Sequence, residues 1–477
     1  MQRRTHALVQ HGTRGLTLRA VAFAFTADLI PLYAIYALLF ADHGLNAAQI
    51  SSLFAIWSAT SFLLEIPSGA WADTVSRRGL LMLSGALLAA GFAVWTLWPS
   101  YLGFAAGFVL WGTSGSLRSG TFEALIYDEL HARAATGNYP RLMGYVRAAS
   151  ESAALAGILA AAPLYAWGGY PLVAWSSVAI ATLHTLTAFL LPSAPKSVSA
   201  ADIDDLEDAA DDLAEVSADS PVSQSNSRHR DDRSGDRIGG AESIPDGAVS
   251  VSGTAALEQD SRGYLAMLRV GLREAVRVRA VRRGVVLVAL LNGITAFDEY
   301  FALLAEHAGA GPSLAAVLVG VTVAGALAGA TLAGRTEGIS ARVMAMALGV
   351  AGVLFIGGAL LAGLAAHHPN AMYVLTAVGF SAVGIAYGID YNADVIAGAR
   401  LQDAIEGPAR ATVTSVSGVV TEVIALLVFG FAALATTWLS LPVVVASLGV
   451  PLLLAAVLAP TWLPSARCRH PEADWRP

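Results

Sequence analysis

The sequence predicts an all-α membrane protein with about twelve transmembrane helices arranged as two bundles of six. The 477 residues are 55% hydrophobic and only 14% charged, whereas soluble domains have roughly 25% charged residues. The mean hydropathy is +0.59. Apolar runs long enough to cross a bilayer, about 20 residues each, recur along the chain. A polar segment in the middle separates six such runs from six others, which predicts the two bundles.

The apolar runs define the predicted spans. They lie near 17–40, 48–71, 79–98, 101–127, 143–165, 170–191, 284–305, 312–334, 343–366, 371–396, 411–436 and 440–463.

The charge pattern predicts the orientation of these spans. Arginine and lysine fall in alternate loops, as with Arg77 and Arg78 after the second span, whereas intervening loops such as "ADHGLNA" and "AEHAGAG" have neither. Positive residues favour the cytoplasmic side. We therefore expect a multi-pass protein of the cell membrane with both termini and the central linker in the cytoplasm.

The polar centre has two parts. Residues 192–261 are acidic and polar, with too few apolar side chains to offset the entropy of ordering, so we expect a disordered linker. A docking role for its acidic block is the alternative. Residues 262–283 resemble a basic amphipathic helix, which suits the anionic inner leaflet of the membrane. The remaining predicted units are the bundles 1–191 and 284–463 and a cytoplasmic tail, 464–477.

A charged motif follows the second span. The stretch "EIPSGAWADTVSRRGLL" contains Gly69, Asp73, Arg77 and Arg78. It resembles the cytoplasmic loop motif of the major facilitator superfamily, G-x-x-x-D-x-x-G-[RK]-[RK], with Ser76 in place of the second glycine. Together with the span count, the charge pattern and the long central linker, this resemblance extends over nearly the whole chain. It implies a secondary transporter whose two bundles rock about a central cavity.

The resemblance also implies a gate at the cytoplasmic face. Asp73, Arg77 and Asp128 would form a lock that is closed when the cavity faces outward and broken when it opens inward. Gly69 is small enough to allow close helix approach. The alternative is that Arg77 and Arg78 only fix the membrane orientation.

Ionisable residues within the predicted spans are candidates for the transport site. Such a residue costs at least about 2.5–3.5 kcal/mol in the membrane, so it normally faces a cavity and has a partner. In the superfamily fold, spans one, four, seven and ten line the cavity, and all four have a carboxylate here. The candidates are Asp28, Glu123, Asp298, Glu299, Asp390 and Asp394. Glu65 and Glu422 lie on spans two and eleven, where the halves meet in this fold, so we expect a structural or gating role for them.

Three further residues belong to these candidate groups. Tyr33 and Tyr36 follow Asp28 on the first span and are candidates to line a substrate path. Arg118 in the fourth span needs a counter-ion, for which Glu123 and Asp28 are both available. The alternative for each carboxylate is a static hydrogen bond to a neighbouring hydroxyl group.

The carboxylates of the second half come in pairs. Asp298 and Glu299 are adjacent and point about 100° apart on an α-helix, so we expect at most one of them to face the cavity centre. Asp390 and Asp394 lie one turn apart on one helix face. Two carboxylates in a low dielectric cannot both ionise cheaply, so we expect one to hold a proton, as a proton carrier must.

These features predict proton-coupled export of a small amphipathic or cationic compound. Proton-coupled import of a metabolite is the alternative, and a membrane enzyme or a sensor that does not transport is a third reading. The sequence has no P-loop and no histidine spacing typical of a metal site. Its single cysteine, Cys468, excludes an intrachain disulfide. We therefore expect no enzymatic activity, no cofactor, no metal and no nucleic-acid partner, and a chain that acts as a monomer.

Overall fold

The computed structural model describes residues 2–196, 278–405 and 410–464. Most of the predicted linker and of the predicted amphipathic helix, and almost all of the tail, lie outside these ranges. Within them the chain is helical, without a strand.

The helices of the first half account for the six spans predicted there. They are α1 (Gln2–Asp28), α2 (Tyr36–Asp42), α3 (Ala47–Thr74), α4 (Arg77–Leu97), α5 (Tyr101–Arg118), α6 (Thr121–Ala132) and α7 (Tyr139–Leu190). Those of the second half account for the other six spans. They are α8 (Arg279–Ile294), α9 (Phe301–His307), α10 (Pro312–Thr336), α11 (Ala341–Leu364), α12 (Met372–Ala404), α13 (Arg410–Ala435), α14 (Leu441–Ser447) and α15 (Val450–Trp462).

Breaks within the helices explain how these elements make twelve spans. In the described ranges, nine stretches are long and apolar enough to cross a membrane unaided. One of them contains α7, which bends at Gly168 and Gly169 and so supplies spans five and six. The first span is divided between α1 and α2, and the fourth between α5 and α6. The prediction of an all-α fold with about twelve spans is confirmed.

Serine and asparagine side chains set the beginnings of several helices. Asn46 caps α3 with a capping box that includes Gln49. Ser76 caps α4 by accepting a hydrogen bond from the backbone nitrogen of Gly79 at 3.3 Å. Such caps satisfy amide groups that the first turn of a helix leaves unpaired. Ser76 has a φ of −65°, so the position where the superfamily motif has glycine needs no left-handed conformation here.

Glycines allow α10 and α12 to pack in backbone contact. Gly325 and Gly329 on α10 lie against Gly384 and Gly388 on α12, so closely that an added Cβ at either α10 position would overlap a carbonyl oxygen of α12. Small residues at this spacing are typical of helix pairs in membranes. The tenth span is thereby fixed to the eighth.

The two halves join at the face that the charge pattern predicts to be extracellular. Across the halves, α3 packs against α13 and α7 against α10. The Tyr300 hydroxyl donates a hydrogen bond to Ser51 Oγ at 2.8 Å, and Ser313 Oγ donates one to the Ala162 carbonyl at 3.0 Å. At the opposite face, α6 makes its extensive contacts with elements of the first half. The halves are therefore closed together at the predicted outer face.

Candidate functional site

A cavity of about 240 Å³ lies between the two halves. The first half contributes side chains of α3, and the second half contributes the end of α8, the segment after it and one side of α13. Its lining residues are Trp57, Ser58, Ser61, Asn292, Gly293, Thr295, Ala296, Asp298, Glu299, Thr421, Glu422, Ala425 and Phe429. We call this space the central cavity.

Helix breaks place the candidate charges of three spans. Helix α1 ends at Asp28, shortly before Pro31, which begins a 3₁₀ turn. Helix α5 ends at Arg118, and Gly120 then adopts a φ of 67°, in the left-handed region that favours glycine. The seventh span passes through a 3₁₀ segment, Thr295–Tyr300, which contains both of its carboxylates. Discontinuous helices of this kind mark binding sites in transporters, because irregular backbone at membrane depth is tolerated where it lines a cavity.

Both adjacent carboxylates of the seventh span border the central cavity. Asp298 Oδ2 accepts a hydrogen bond from the Tyr387 hydroxyl of α12 at 2.8 Å. Glu299 Oε2 accepts one from the Tyr36 hydroxyl of α2, which belongs to the other half. The expectation that at most one of the pair faces the cavity assumed a regular α-helix. The segment is a 3₁₀ turn instead, in which adjacent side chains point about 120° apart, and both carboxylates line the cavity. Which of the two faces the cavity centre stays a prediction.

Arg118 and Asp28 form an ion pair in a second cavity. Their closest nitrogen and oxygen atoms are 3.8 Å apart, and the side chains are 40% and 24% exposed. This cavity has a volume of about 300 Å³ and also includes Glu123 and Ser150. Of the two counter-ions that the sequence offered, the structure pairs Arg118 with Asp28. The two charges compensate each other beside the central cavity.

The two tyrosines after Asp28 belong to an aromatic cluster in the first half. The Tyr33 ring stacks on Trp111 with centroids 4.9 Å apart. Tyr36 is only 3% exposed, and its ring lies edge-on to Phe54 and Phe108. Neither tyrosine is among the residues that line the central cavity. Tyr36 reaches the site through its hydroxyl group, which holds Glu299.

The carboxylates of the tenth span are not among the residues that line the central cavity. Asp394 Oδ2 accepts a hydrogen bond of 3.5 Å from Asn292 Nδ2, and Asn292 borders the cavity. Asp390 is fully buried, and neither of its oxygens has a hydrogen-bond partner among the described residues. A buried carboxyl group without a partner is far less costly when it is neutral, so this site favours a protonated Asp390.

The structure brings together two members of the predicted gate. Arg77 Nη1 lies 2.7 Å from Asp128 Oδ2, with both side chains almost fully buried. Arg78 Nη1 donates a hydrogen bond to the Leu191 carbonyl oxygen at 3.4 Å. The side chain of Asp73 lies outside the described part of the structure. Among the described residues, no atom lies within 4 Å of an added Cβ at Gly69, so the close approach predicted there is not seen among them in this conformation.

The Arg77–Asp128 pair is formed although the halves meet at the predicted outer face. The expected lock would be broken in such a conformation. Both residues belong to the first half, since α6 packs against α4 within it, so the pair stays formed when the halves separate at the inner face. This pair therefore stabilises the first half and does not by itself report the state of the gate.

Sequence reasoning missed part of the central cavity. Glu422 accepts a hydrogen bond of 2.7 Å from Ser58 of the other half, and both residues border the cavity with Trp57. The sequence had assigned Glu422 only a structural or gating role. The sequence feature that could have identified this part of the cavity is the polar stretch "WSATS". It places Trp57, Ser58 and Ser61 close together on α3, within a predicted membrane span. Among the described residues, no group of acidic, histidine or cysteine side chains could hold a metal ion.

Comparisons with known proteins agree with this architecture. No curated protein is significantly similar to the chain in sequence. Among solved structures, the nucleoside transporter NupG has a TM-score of 0.61 at 11% identity, covering 93% of this chain and 98% of its own. A D-xylose–proton symporter has a TM-score of 0.57 at 15% identity, with 95% and 98% covered. A bacterial homologue of the human lysosomal transporter Spinster, in an inward-facing and occupied conformation, has a TM-score of 0.60 at 14% identity, with 94% and 95% covered.

At these identities the solved structures show a common fold. The family is shown by a separate match, in which residues 18–393 fit the family model of the Major Facilitator Superfamily. That match includes both halves and most of the cavity-lining residues. The chain therefore belongs to the major facilitator superfamily, a family of multi-pass membrane transporters rather than enzymes.

Proposed function

We propose that this protein is a proton-coupled secondary transporter that exports a small amphipathic or cationic compound by alternating access. One observation carries the proposal. Asp298, Glu299 and Glu422 border a single cavity between the halves, together with the aromatic rings of Trp57 and Phe429.

The composition of the central cavity supports a cationic substrate. Among the described residues that line it, three are carboxylic acids and none is lysine or arginine. Arg118, in the neighbouring cavity, is compensated by Asp28. The face of a tryptophan ring such as that of Trp57 attracts cations, most strongly where water is excluded. A positively charged compound with an apolar body matches this combination of acidic and aromatic side chains.

The contact between Tyr36 and Glu299 supports proton coupling. A hydrogen bond to a carboxylate stabilises its charged form, and this donor comes from the opposite half of the protein. When the halves separate at the outer face, Glu299 loses the donor, and taking up a proton becomes more favourable. A proton gained at the outer face and released at the inner face would drive substrate in the opposite direction.

The membrane potential supplies enough energy for such a cycle. It provides about 2.3 kcal/mol per charge per 100 mV. Since about 1.4 kcal/mol corresponds to a factor of ten, one charge moved across 100 mV supports roughly fortyfold accumulation.

Flux in everted vesicles under an imposed pH gradient tests the direction of transport. The lumen of such vesicles corresponds to the outside of the cell. We expect an acidic lumen to drive uptake of fluorescent lipophilic cations from the bath. Proton-driven loss of a preloaded metabolite from the lumen would instead support the import alternative. Flux that does not respond to the gradient would contradict proton coupling in either direction.

A further inference from the structure

A separate polar cavity lies at the predicted cytoplasmic ends of α1 and α7. It has a volume of about 510 Å³, and its polar lining comes from Thr13, Arg14, Thr17, Asn138 and Arg141. No described carboxylate forms an ion pair with either arginine. Arg141 is held in place by Tyr145, because its Nε donates a hydrogen bond to the Tyr145 hydroxyl at 3.2 Å. Two arginines, the Asn138 amide and two threonine hydroxyls surround this space, and the Thr17 hydroxyl also donates to the Thr13 carbonyl at 2.9 Å. The positive charge of the two arginines makes it a pocket for an anion.

Helix geometry gives the depth of this pocket in the membrane. Gly157 of α7 lies level with Ile30, because an added Cβ there would be 2.8 Å from the Ile30 nitrogen. From this level, the end of the first span at Asp42 is about 20 Å away toward the outer face, by helical rise. In the other direction, Arg14 precedes Ile30 by 16 residues and Arg141 precedes Gly157 by 16 residues, so both lie about 24 Å from this level by helical rise.

Both helices therefore place their arginine at the same level. The hydrocarbon core ends about 15 Å from the bilayer centre, and the headgroup region extends to about 20–22 Å. With the level of Ile30 and Gly157 near the bilayer centre, the backbones of Arg14 and Arg141 lie at the outer limit of the headgroup region, and their long side chains reach back to lipid phosphate groups. The same estimate puts Leu18 and Tyr145, each twelve residues from the reference level, at about 18 Å, close to the boundary between acyl chains and headgroups.

The residues at that boundary are open to the surrounding membrane. Leu18 is 71% exposed and Tyr145 is 48% exposed, and both line the same pocket. Exposed apolar side chains at this depth contact acyl chains, and tyrosine is enriched at the interface. The pocket therefore has a basic end at headgroup level and an apolar edge that leads into the bilayer.

We infer that this pocket binds the phosphate headgroup of an anionic phospholipid of the inner leaflet, with an acyl chain lying along Leu18 and Tyr145. The bound lipid bridges the inner ends of α1 and α7 and so stabilises the packing of the first half. This inference does not depend on the direction or substrate of transport. An inorganic phosphate ion and the acidic linker of the chain itself are the competing occupants.

Binding of phosphatidylglycerol to the full-length protein tests the inference. Purified protein is reconstituted into phosphatidylcholine bilayers with and without phosphatidylglycerol, and lipid affinity and thermal stability are measured. We expect the Arg14→Gln, Arg141→Gln double variant to bind phosphatidylglycerol roughly 30-fold more weakly, about fivefold for each arginine. The matched control is Arg335→Gln with Arg342→Gln, which removes two exposed arginines outside the pocket and should leave the affinity within about twofold.

A photoreactive phosphatidylglycerol provides a test on the wild-type chain alone. We expect crosslinks to peptides containing residues 13–18 and 138–145, without competition from inorganic phosphate at concentrations that saturate a free anion site. The inference is overturned if the double variant keeps the wild-type preference for phosphatidylglycerol. It is also overturned if phosphate displaces the lipid or if the pocket crosslinks to the linker instead.

Discussion

Glu299 has contacts on both sides of the boundary between the halves. Its carboxylate borders the central cavity and accepts the hydrogen bond of Tyr36 from the opposite half. Asp298, one residue earlier, has its hydrogen bond from Tyr387 within its own half. Only Glu299 of this adjacent pair therefore loses its tyrosine donor when the halves separate, which makes it the residue best placed to couple protonation to the conformational change.

Replacing Tyr36 tests this coupling at the level of one hydrogen bond. A hydrogen bond to a charged group contributes about 1.5–3 kcal/mol, so Tyr36→Phe should shift the equilibrium away from the outer-closed state by about 10- to 100-fold. Pulsed electron–electron double resonance measures this shift as a change in the distances between spin labels on loops 43–46 and 308–311. The labels are introduced in a Cys468→Ser background. Tyr373→Phe is the control, because Tyr373 is 70% exposed. Unchanged distance distributions in Tyr36→Phe would exclude Tyr36 as a closing contact.

The Asp28–Arg118 pair gives a prediction about substrate charge. Asp28→Asn removes the carboxylate that is paired with Arg118 and adds one net positive charge to the cavity that both residues line, so cation affinity should fall roughly tenfold. The double variant Asp28→Asn, Arg118→Gln removes both charges and should recover most of the affinity. Fluorescence titration with a lipophilic cation measures all three proteins. If the double variant binds as weakly as the single variant, Asp28 contacts the substrate directly and compensation is the wrong explanation.

At the level of elements, the contact between α10 and α12 depends on glycine. Gly329→Ala places a methyl group against the carbonyl oxygen of Gly388, and overpacking of this kind costs about 1–3 kcal/mol. Gly334 lies on the same helix, and an added Cβ there meets no atom of the described residues within 4 Å. Gly334→Ala should therefore be neutral or stabilise by up to about 1 kcal/mol. Thermal unfolding in detergent measures the difference, and equal effects at both positions would contradict the described packing.

The two arginines at the start of α4 offer a similar matched pair. Arg77→Gln removes the guanidinium group that pairs with the buried carboxylate of Asp128, which costs about 3–5 kcal/mol. Arg78 is only half-buried and donates to a backbone carbonyl, so Arg78→Gln should cost about 1 kcal/mol or less. Unfolding of the two variants measures this asymmetry. If both arginines served only to fix the membrane orientation, the two variants would lose equal stability.

The sequence predicts the helices themselves, but it does not predict which side chains of different helices become partners. The twelve spans follow from hydropathy alone, and the bend of α7 at Gly168 and Gly169 lies between the predicted spans 143–165 and 170–191. The choice of Asp28 over Glu123 as partner for Arg118 depends on how α1 meets α5, which no local pattern encodes. The same is true of Glu422, whose partner Ser58 lies 364 residues away in the chain.

In the molecule as a whole, the two halves join at the predicted outer face, and carboxylates of one half meet hydroxyl groups of the other. Tyr36 with Glu299 and Ser58 with Glu422 both cross this boundary. Rocking of the halves would break such contacts and expose the carboxylates to the outer solvent. The proposed proton cycle thus follows from the same contacts that close the outer face.

Gradient-driven accumulation by purified protein in liposomes tests the central claim most directly. An imposed pH gradient should drive the wild type to accumulate a lipophilic cation against the concentration gradient of that cation. The accumulation should be about tenfold for each pH unit and proton exchanged. The Asp298→Asn, Glu299→Gln double variant should lose this accumulation but still exchange the cation at equal concentrations. Glu337→Gln is the control, because the Glu337 side chain is exposed and is not among the residues that line the central cavity, so this variant should accumulate normally. Wild-type accumulation by the double variant would contradict the claim that cavity carboxylates carry the proton.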